Sequence, residues 1–440
     1  MKTALSALGR RTAAPPISWL MNAALSRPKL ISLAAGFTDN ATLPVQLSRE
    51  LLNGILRSPK TGQPALQYGV TAGEPGLRAL TASHLQKLDG GHDRAHSPEH
   101  VIITGGSQQL LYMAMEALCD EGDIVLVEDP TYFVFLGVLQ SQGIRAHGVK
   151  VERDGLDLAH LEAVLERLKK AGKLRRVKAL YLVTYFQNPT GATTTLAKKG
   201  AVLKLLKQYE RAAGHPIYLV EDAAYRELAF DSVAADYDRR KSVKRRSQTD
   251  ATAPPTALVL PGAKARVIYA GTYSKPYAPG ARLGFGILPE PVYTAVLRIK
   301  GNHDFGSANL LQQLLARALE SGRYDRHVAM VRKNYARKAA VMKEAIEKHF
   351  PKRVEVWEAG GGLYFWALLP KGVSAGVKSK VFQTALKNDV LYVPGELCHA
   401  DDSWRRKPVN GMRISFGSAS VENIREGIKR LGAVLRKFVK

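Results

Sequence analysis

The residues with the clearest chemical potential in this 440-residue chain lie between Gly271 and Arg282, in "GTYSKPYAPGAR". The apolar run Val267-Ile268-Tyr269-Ala270 just before it predicts a strand that delivers Lys275 into a loop. Thr272 and Ser274 stand immediately ahead of the lysine, and Arg282 follows among Pro279, Gly280 and Gly284. An amine beside small hydroxyls and a guanidinium can react as a nucleophile while its neighbours hold an anion. One use of such a set is an imine between Lys275 and a phosphorylated aldehyde, pyridoxal phosphate, with Thr272, Ser274 and Arg282 on the phosphate. A surface lysine in a turn is the other reading of the same residues.

Further candidates sit where other strands should end. Val101-Ile102-Ile103-Thr104 predicts a buried strand, and "GGSQQLLYMAMEAL" after it a turn and a helix. The free amides at that helix start, around Ser107 and Gln108, could hold a phosphate, although Gly-rich turns of this kind are common. Ile124 to Val127 predicts another strand, beyond which the ring of Tyr132 could stack on a flat heterocycle or simply fill core. The strand from Ala179 to Val183 leads to "YFQNPTG", where Pro189 biases Asn188 towards an extended conformation. "IYLVEDAAYREL" places Glu221 and Asp222 at a strand end, with Tyr225 three residues on. A carboxylate there can cap a helix. Facing a pyridinium nitrogen, it would keep that nitrogen protonated and the ring an electron sink. Arg413, between apolar neighbours in "GMRISFGS", needs an acidic partner or an anionic ligand, and its planar fork suits a carboxylate.

What positions these residues is an alternation of strands and helices from Val101 to Ile287, which predicts an α/β architecture with a mostly parallel sheet. Ser107, Tyr132, Asn188, Asp222 and Lys275 then all meet at the carboxyl ends of the strands. Before this region come a short apolar strand in "LISLAAGF" ending near Gly36, a helix from Leu47 to Leu56, and a helix opened by Glu74-Pro75. After it, helical patterns cover 156–170, 203–209, 310–319, 324–349 and 421–439, and "WEAGGGLYFWALLP" reads as an aromatic-rich strand.

Composition narrows the function classes. Hydrophobic content of 45% with 23% charged residues is that of a globular enzyme. No apolar run approaches the roughly 18 residues of a membrane span. Two cysteines, Cys119 and Cys398, give no disulfide framework and fit a reducing, cytoplasmic setting. A formal charge of +25 suits anionic substrates, because the basic residues are dispersed along the chain. The one dense cluster, Arg239 to Arg246, lies in a basic insertion at 236–256 and has no interleaved aromatic residues, which gives a nucleic-acid partner little support. His92, His96 and His100 are four apart, but Pro98 and the paired glycines argue against a continuous helix and hence against a metal site. The acid-free start to Thr38 could be a targeting presequence. The apolar residues from Ile17 to Met21 favour an arm that packs on the body.

Taken in order, "LQYGVTAGEPGLR", "TGGSQQ", "EDPTY", "FQNPTG", "EDAAY", "GTYSK" with Arg282, and "MRISF" resemble the motifs of pyridoxal-phosphate-dependent aminotransferases of fold type I, class I/II. The likeness runs from about Ile31 to the end and is nearest to 2-aminoadipate, kynurenine and aromatic aminotransferases. It implies a large domain with a mostly parallel seven-stranded sheet flanked by helices, plus a smaller α/β domain. The implied boundaries are 1–46 for the arm and part of the small domain, 47–325 for the cofactor-binding domain, and 326–440 for the small domain. By position, Lys275 resembles the lysine that carries the cofactor and Asp222 the partner of the pyridine nitrogen. Tyr225 and Asn188 resemble the groups on the ring hydroxyl, and Tyr132 the stacking aromatic. Ser107, Gln108, Thr272, Ser274 and Arg282 resemble the phosphate cup, with Tyr68 entering from a partner subunit of a homodimer. Arg413, with Asn188 and the backbone at Gly36, resembles the clamp on the substrate carboxylate.

The resemblance implies transfer of an amino group between an amino acid and a 2-oxo acid, with no metal. A β-lyase or decarboxylase would use the same lysine and aspartate, and a ligand-sensing protein on this scaffold is a further alternative. Two departures stand out. The Asp222–Lys275 spacing is longer than usual because of the basic insertion, and "SLAAGF" replaces a more glycine-rich stretch. The residues ahead of Ile31 are too few for the winged-helix domain of the related transcription regulators.

Overall fold

The computed structural model describes residues 4–91, 96–230 and 253–439. Fourteen strands occur among them, nine in the first three quarters of the chain. These are β1 (Ile31–Ser32), β2 (Val101–Thr104), β3 (Ile124–Asp129), β4 (Arg145–Glu152), β5 (Gly155–Leu156), β6 (Val177–Val183), β7 (Tyr218–Asp222), β8 (Val267–Thr272) and β9 (Gly284–Ile287). The last five are β10 (Glu355–Trp357), β11 (Tyr364–Leu368), β12 (Val390–Leu391), β13 (Val393–Pro394) and β14 (Gly411–Ser415).

The large sheet has the order β2-β9-β8-β7-β6-β3-β4-β5. From β4 through β3, β6 and β7 to β8 every pairing is parallel. Only β9, between β8 and β2, and the two-residue β5 are reversed. Seven strands match the expected sheet, and β5 adds a short eighth. Strands β2, β6, β7 and β8 are buried almost throughout, as a sheet covered on both faces requires. The covering comes from crossover helices such as Ser107–Leu118, Phe133–Gln142, Leu158–Lys170 and Leu196–Ala213. Each begins just beyond a strand's carboxyl end or its loop, so that edge gathers the loops in one crevice.

A second, antiparallel sheet, β10-β11-β14-β13, continues past β14 into Phe416, whose ring meets Tyr335 of helix Arg323–His349, and that helix packs along helix Val421–Phe438. The stretch expected as one strand up to Gly36 is a two-residue pairing of β1 with β12. Beyond it Leu33 still donates to Leu391 and accepts from Ser415, but its neighbours turn away to meet a buried side chain. Leu156, expected in a helix, belongs to β5, and Asp157 caps the helix that follows by accepting from the His160 amide. The N-terminal arm does pack on the body. Arg11 donates to the Ser141 carbonyl at 2.7 Å, Leu20 is buried, and Trp19 lies edge-on to Phe382. The cluster Arg239 to Arg246 and His92 lie outside the described residues. Among the described residues no group of side chains could hold a metal, and no helix is long and apolar enough to cross a membrane. His96 instead meets the Asp89 carboxylate at 2.7 Å, both side chains fully buried.

Beneath the crevice a second buried ion pair ties the sheet to its covering helix. Lys199 meets Glu221 at 2.7 Å, both side chains fully buried, and also donates to the Tyr185 hydroxyl and the Pro255 carbonyl. Glu221 further accepts from the Ala257 amide and the Thr184 hydroxyl. Removing one member of such a pair leaves an uncompensated charge. Lys199→Met is therefore expected to lower unfolding free energy by about 3–5 kcal/mol, read from denaturant titration.

Candidate active site

Six loops deliver the site. At the end of β2, Gly106 adopts φ 93°, a conformation open to glycine, and the Ser107–Leu118 helix starts directly after it. A Cβ on Gly284 would lie 2.5 Å from the Ser107 nitrogen, so β9 backs tightly against this turn. The guanidinium of Arg282 stands over the turn, donating to the Gly105 carbonyl at 3.1 Å. Thr272, the last residue of β8, accepts from the Ser274 amide at 3.1 Å through its hydroxyl, fixing the turn that presents Lys275. Ser107, Thr272, Ser274 and Arg282 are therefore gathered around one helix N-terminus. Gln108 is beside them, and its side-chain oxygen is buried with no hydrogen-bond donor.

Lys275 donates to the Gly36 carbonyl at 2.8 Å. Burial, and then the positive charges of Arg413 and Arg282, lower its pKa to about 8. Asp222, at the end of β7, is buried and has no cationic partner within ion-pair distance among the described residues. Burial raises its pKa to about 6, against hydrogen bonds from the Tyr181 hydroxyl at 2.7 Å and the Ala224 amide at 3.1 Å. A buried carboxylate in this condition is completed by a cation brought to it.

On the opposite wall Arg413, in β14, is buried without a carboxylate partner among the described residues. One guanidinium nitrogen donates to the Asn188 side-chain oxygen at 2.8 Å and the other to the Ala34 carbonyl at 2.6 Å, while Nε has no acceptor. The Asn188 amide reaches the Tyr225 hydroxyl at 3.5 Å. Tyr132 follows β3, where the Thr131 amide donates to the Cys398 carbonyl at 2.7 Å, so its turn is tied to the smaller sheet's loops. Tyr68 lies outside this arrangement. It is 83% exposed and touches Phe305 edge-on at 5.6 Å.

The structure thus brings twelve of the thirteen predicted residues into one cleft and leaves Tyr68 outside it. Two residues that sequence reasoning did not single out belong there. Tyr181 lies under Asp222, as above. Tyr364, in β11, places its hydroxyl 3.0 Å from that of Tyr225 and its ring 4.3 Å from the Arg413 guanidinium. The aromatic cluster after the triple glycine was the only signal for it.

The donor set fits one type of bound group. It offers an anion cradle, an aromatic wall, a buried carboxylate awaiting a cation and an amine with a depressed pKa. These are the complements of a phosphate, a planar ring, a protonated ring nitrogen and an aldehyde. Fold and cleft together define a pyridoxal-phosphate enzyme of fold type I.

Comparison with known proteins gives the family. The profile for aminotransferase class I and II matches residues 28–431. The chain is 32% identical over 410 residues to a 2-aminoadipate transaminase from Thermus thermophilus, covering 93% of this chain and 91% of that one. It is 31% identical over 412 residues to aromatic-amino-acid aminotransferase 1 from Thermococcus litoralis, covering 93% and 89%. The kynurenine aminotransferase of Pyrococcus horikoshii, solved with PMP, superposes with a TM-score of 0.86 at 30% identity, covering 99% and 98% of the two chains. The chain belongs to the class I and II aminotransferases and is a pyridoxal-phosphate-dependent transaminase.

The depressed pKa of Lys275 has a measurable sign. The amine reacts when neutral, so cofactor uptake by the apoprotein is expected to accelerate with rising pH around a midpoint near 8, well below the ordinary lysine value. Stopped-flow absorbance after mixing with pyridoxal phosphate at a series of pH values measures it.

Proposed function

We propose that this aminotransferase moves the amino group of an L-amino acid with a 2-aminoadipate-like, aromatic or branched side chain to a 2-oxo acid such as 2-oxoglutarate, the two substrates using one site in turn. The observation that carries the reading is Arg413, a buried guanidinium with no carboxylate partner among the described residues, held beside Asn188 and facing the same cleft as Lys275. Such a group is stable only with an anion brought to it, and its fork matches an α-carboxylate. The names of the relatives support the donor classes, and no second arginine can be assigned to a side-chain carboxylate.

Pyridoxal phosphate, when bound, supplies an electrophilic carbon for the amine and an electron sink for the pair left at Cα. Lys275 would hold it through Nζ, and the same amine, its pKa lowered, would serve as the base that takes the Cα proton and gives it back. Asp222, buried on the floor of the cleft, would keep the ring nitrogen protonated. Tyr225 and Asn188 would donate to the ring hydroxyl, and Tyr132 would stack on the ring. Ser107, Gln108, Thr272, Ser274 and Arg282 would bind the phosphate. Arg413, Asn188 and the Gly36 backbone would orient the amino acid so that its Cα–H bond stands across the ring, which is a gain in positioning rather than in binding alone.

The same proposal includes a homodimer in the cytoplasm. Leu66, Tyr68, Val70 and Phe305 form an exposed apolar patch of the kind that a partner subunit covers, and from it Tyr68 would reach the partner's phosphate site. The division at 46/47 and 325/326 into arm, large and small domains is supported by the separation of the eight-stranded from the four-stranded sheet and by the pairing of β1 with β12.

Lys275→Ala is expected to abolish turnover, by a factor of 10³ or more on the order-of-magnitude scale of lost covalent and acid–base catalysis. A panel of amino donors with 2-oxoglutarate tests the assignment, followed by chromatography of the new amino acid. Release of ammonia or carbon dioxide in place of a new amino acid would contradict it.

A further inference from the structure

Tyr364 touches three separate parts of the cleft at once. Its hydroxyl is 3.0 Å from the hydroxyl of Tyr225. The same oxygen would lie only 2.4 Å from a Cβ placed on Gly36, so it also fills the space over the backbone whose carbonyl receives Lys275. Its ring carries the Arg413 guanidinium at 4.3 Å, closer than the Phe133 ring at 5.4 Å. The side chain is 2% exposed, so none of these contacts is a surface accident.

Two buried phenols at this distance share one proton direction at a time. Tyr225 has one proton to give and also receives the long contact from Asn188 at 3.5 Å. If Tyr225 donates into the cleft, its own oxygen is left to accept, and Tyr364 is the group placed to donate to it. A phenol that accepts a hydrogen bond becomes a stronger donor in turn.

We propose that Tyr364 is a positioning residue for the transamination site. Its hydroxyl donates to Tyr225 and so fixes Tyr225 as the donor to the cofactor's ring oxygen, while its ring seats Arg413 for the substrate carboxylate. This rests on the roles given above to Tyr225 and Arg413. It adds a link between them: one side chain of the smaller sheet joins the group that tunes the ring to the group that binds the substrate. The charged and titratable groups facing the pair are Arg413 from β14, Tyr132 after β3 and Tyr335 from the Arg323–His349 helix, with Asp222 from β7 behind Tyr132.

The test is a spectroscopic pH titration of the purified holoenzyme. In Tyr364→Phe the ring oxygen loses part of its stabilisation, and the proton between that oxygen and Lys275 Nζ is held to higher pH. The midpoint of the cofactor's visible absorbance change should rise by about half a unit to one unit. Tyr225→Phe should raise it further, and the double variant should match Tyr225→Phe alone, because Tyr364 acts through Tyr225. Tyr364→Leu, which also removes the ring from Arg413, should raise KM for the amino donor about tenfold more than Tyr364→Phe does. An unchanged midpoint in Tyr364→Phe, beside a shifted one in Tyr225→Phe, would overturn the proposal, as would full additivity of the two. Absence of cofactor absorbance in the unsubstituted protein would overturn both this proposal and the roles on which it rests.

Discussion

A lysine can be a nucleophile near neutral pH only if its proton is made easy to lose, and in this protein burial and two guanidiniums do that for Lys275. Burial disfavours the ammonium, and Arg413 and Arg282 add like charge, which together bring the pKa to about 8. The rest of the cleft follows from the same electrostatics. Positive charge concentrated in low-dielectric surroundings is costly unless anions visit it, and a phosphate and a carboxylate are the visitors that the two arginines suit. Asp222 is the counterpart, a buried carboxylate with no cationic partner among the described residues, whose pKa burial raises to about 6.

The two sheets exist, in functional terms, to hold these charges at a fixed separation. The large sheet supplies the cradle, the carboxylate and the lysine from the ends of β2, β7 and β8. The smaller sheet supplies Arg413 and Tyr364 from adjacent antiparallel strands. Between them runs the segment after β1, whose carbonyls at Ala34 and Gly36 accept from Arg413 and Lys275 respectively. Further along that segment Asp39 is tied to Lys338 at 2.6 Å and to Asn334 at 2.8 Å, so it is anchored to the long helix of the smaller sheet. A carboxylate brought to Arg413, as proposed, would compete with the Ala34 carbonyl, which would connect substrate binding to the placing of this segment.

Much of this was legible in the sequence because the parallel sheet imposes a simple rule. Apolar runs end, and the polar residues that follow them stand at one edge, so Asn188, Asp222 and Lys275 could be placed from order alone. The residues that escaped notice obey a subtler rule. Tyr181 lies within an apolar run, where nothing in one sequence separates a core tyrosine from one aimed at a neighbouring strand's carboxylate. Tyr364 stands in a cluster with Phe365 and Trp366, and alternation puts Tyr364 and Trp366 on one side and Phe365 on the other without telling which side holds the cleft. The strand expected to reach Gly36 failed for a related reason. Its apolar residues suit pairing, but the carbonyls of Ala34 and Gly36 are drawn off by a buried arginine and a lysine far away in the chain. Tyr68 is the opposite case. Its role comes from resemblance, and the structure leaves the residue exposed, outside the cleft.

The account stands on one covalent attachment at one nitrogen, and that attachment can be trapped. Holoenzyme treated with borohydride, digested and sequenced by tandem mass spectrometry should carry the reduced pyridoxyl phosphate group on Lys275 alone, with Lys275→Ala carrying none. Labelling of a different lysine, or an unlabelled peptide spanning Lys275 from protein that shows the cofactor's colour, would contradict it.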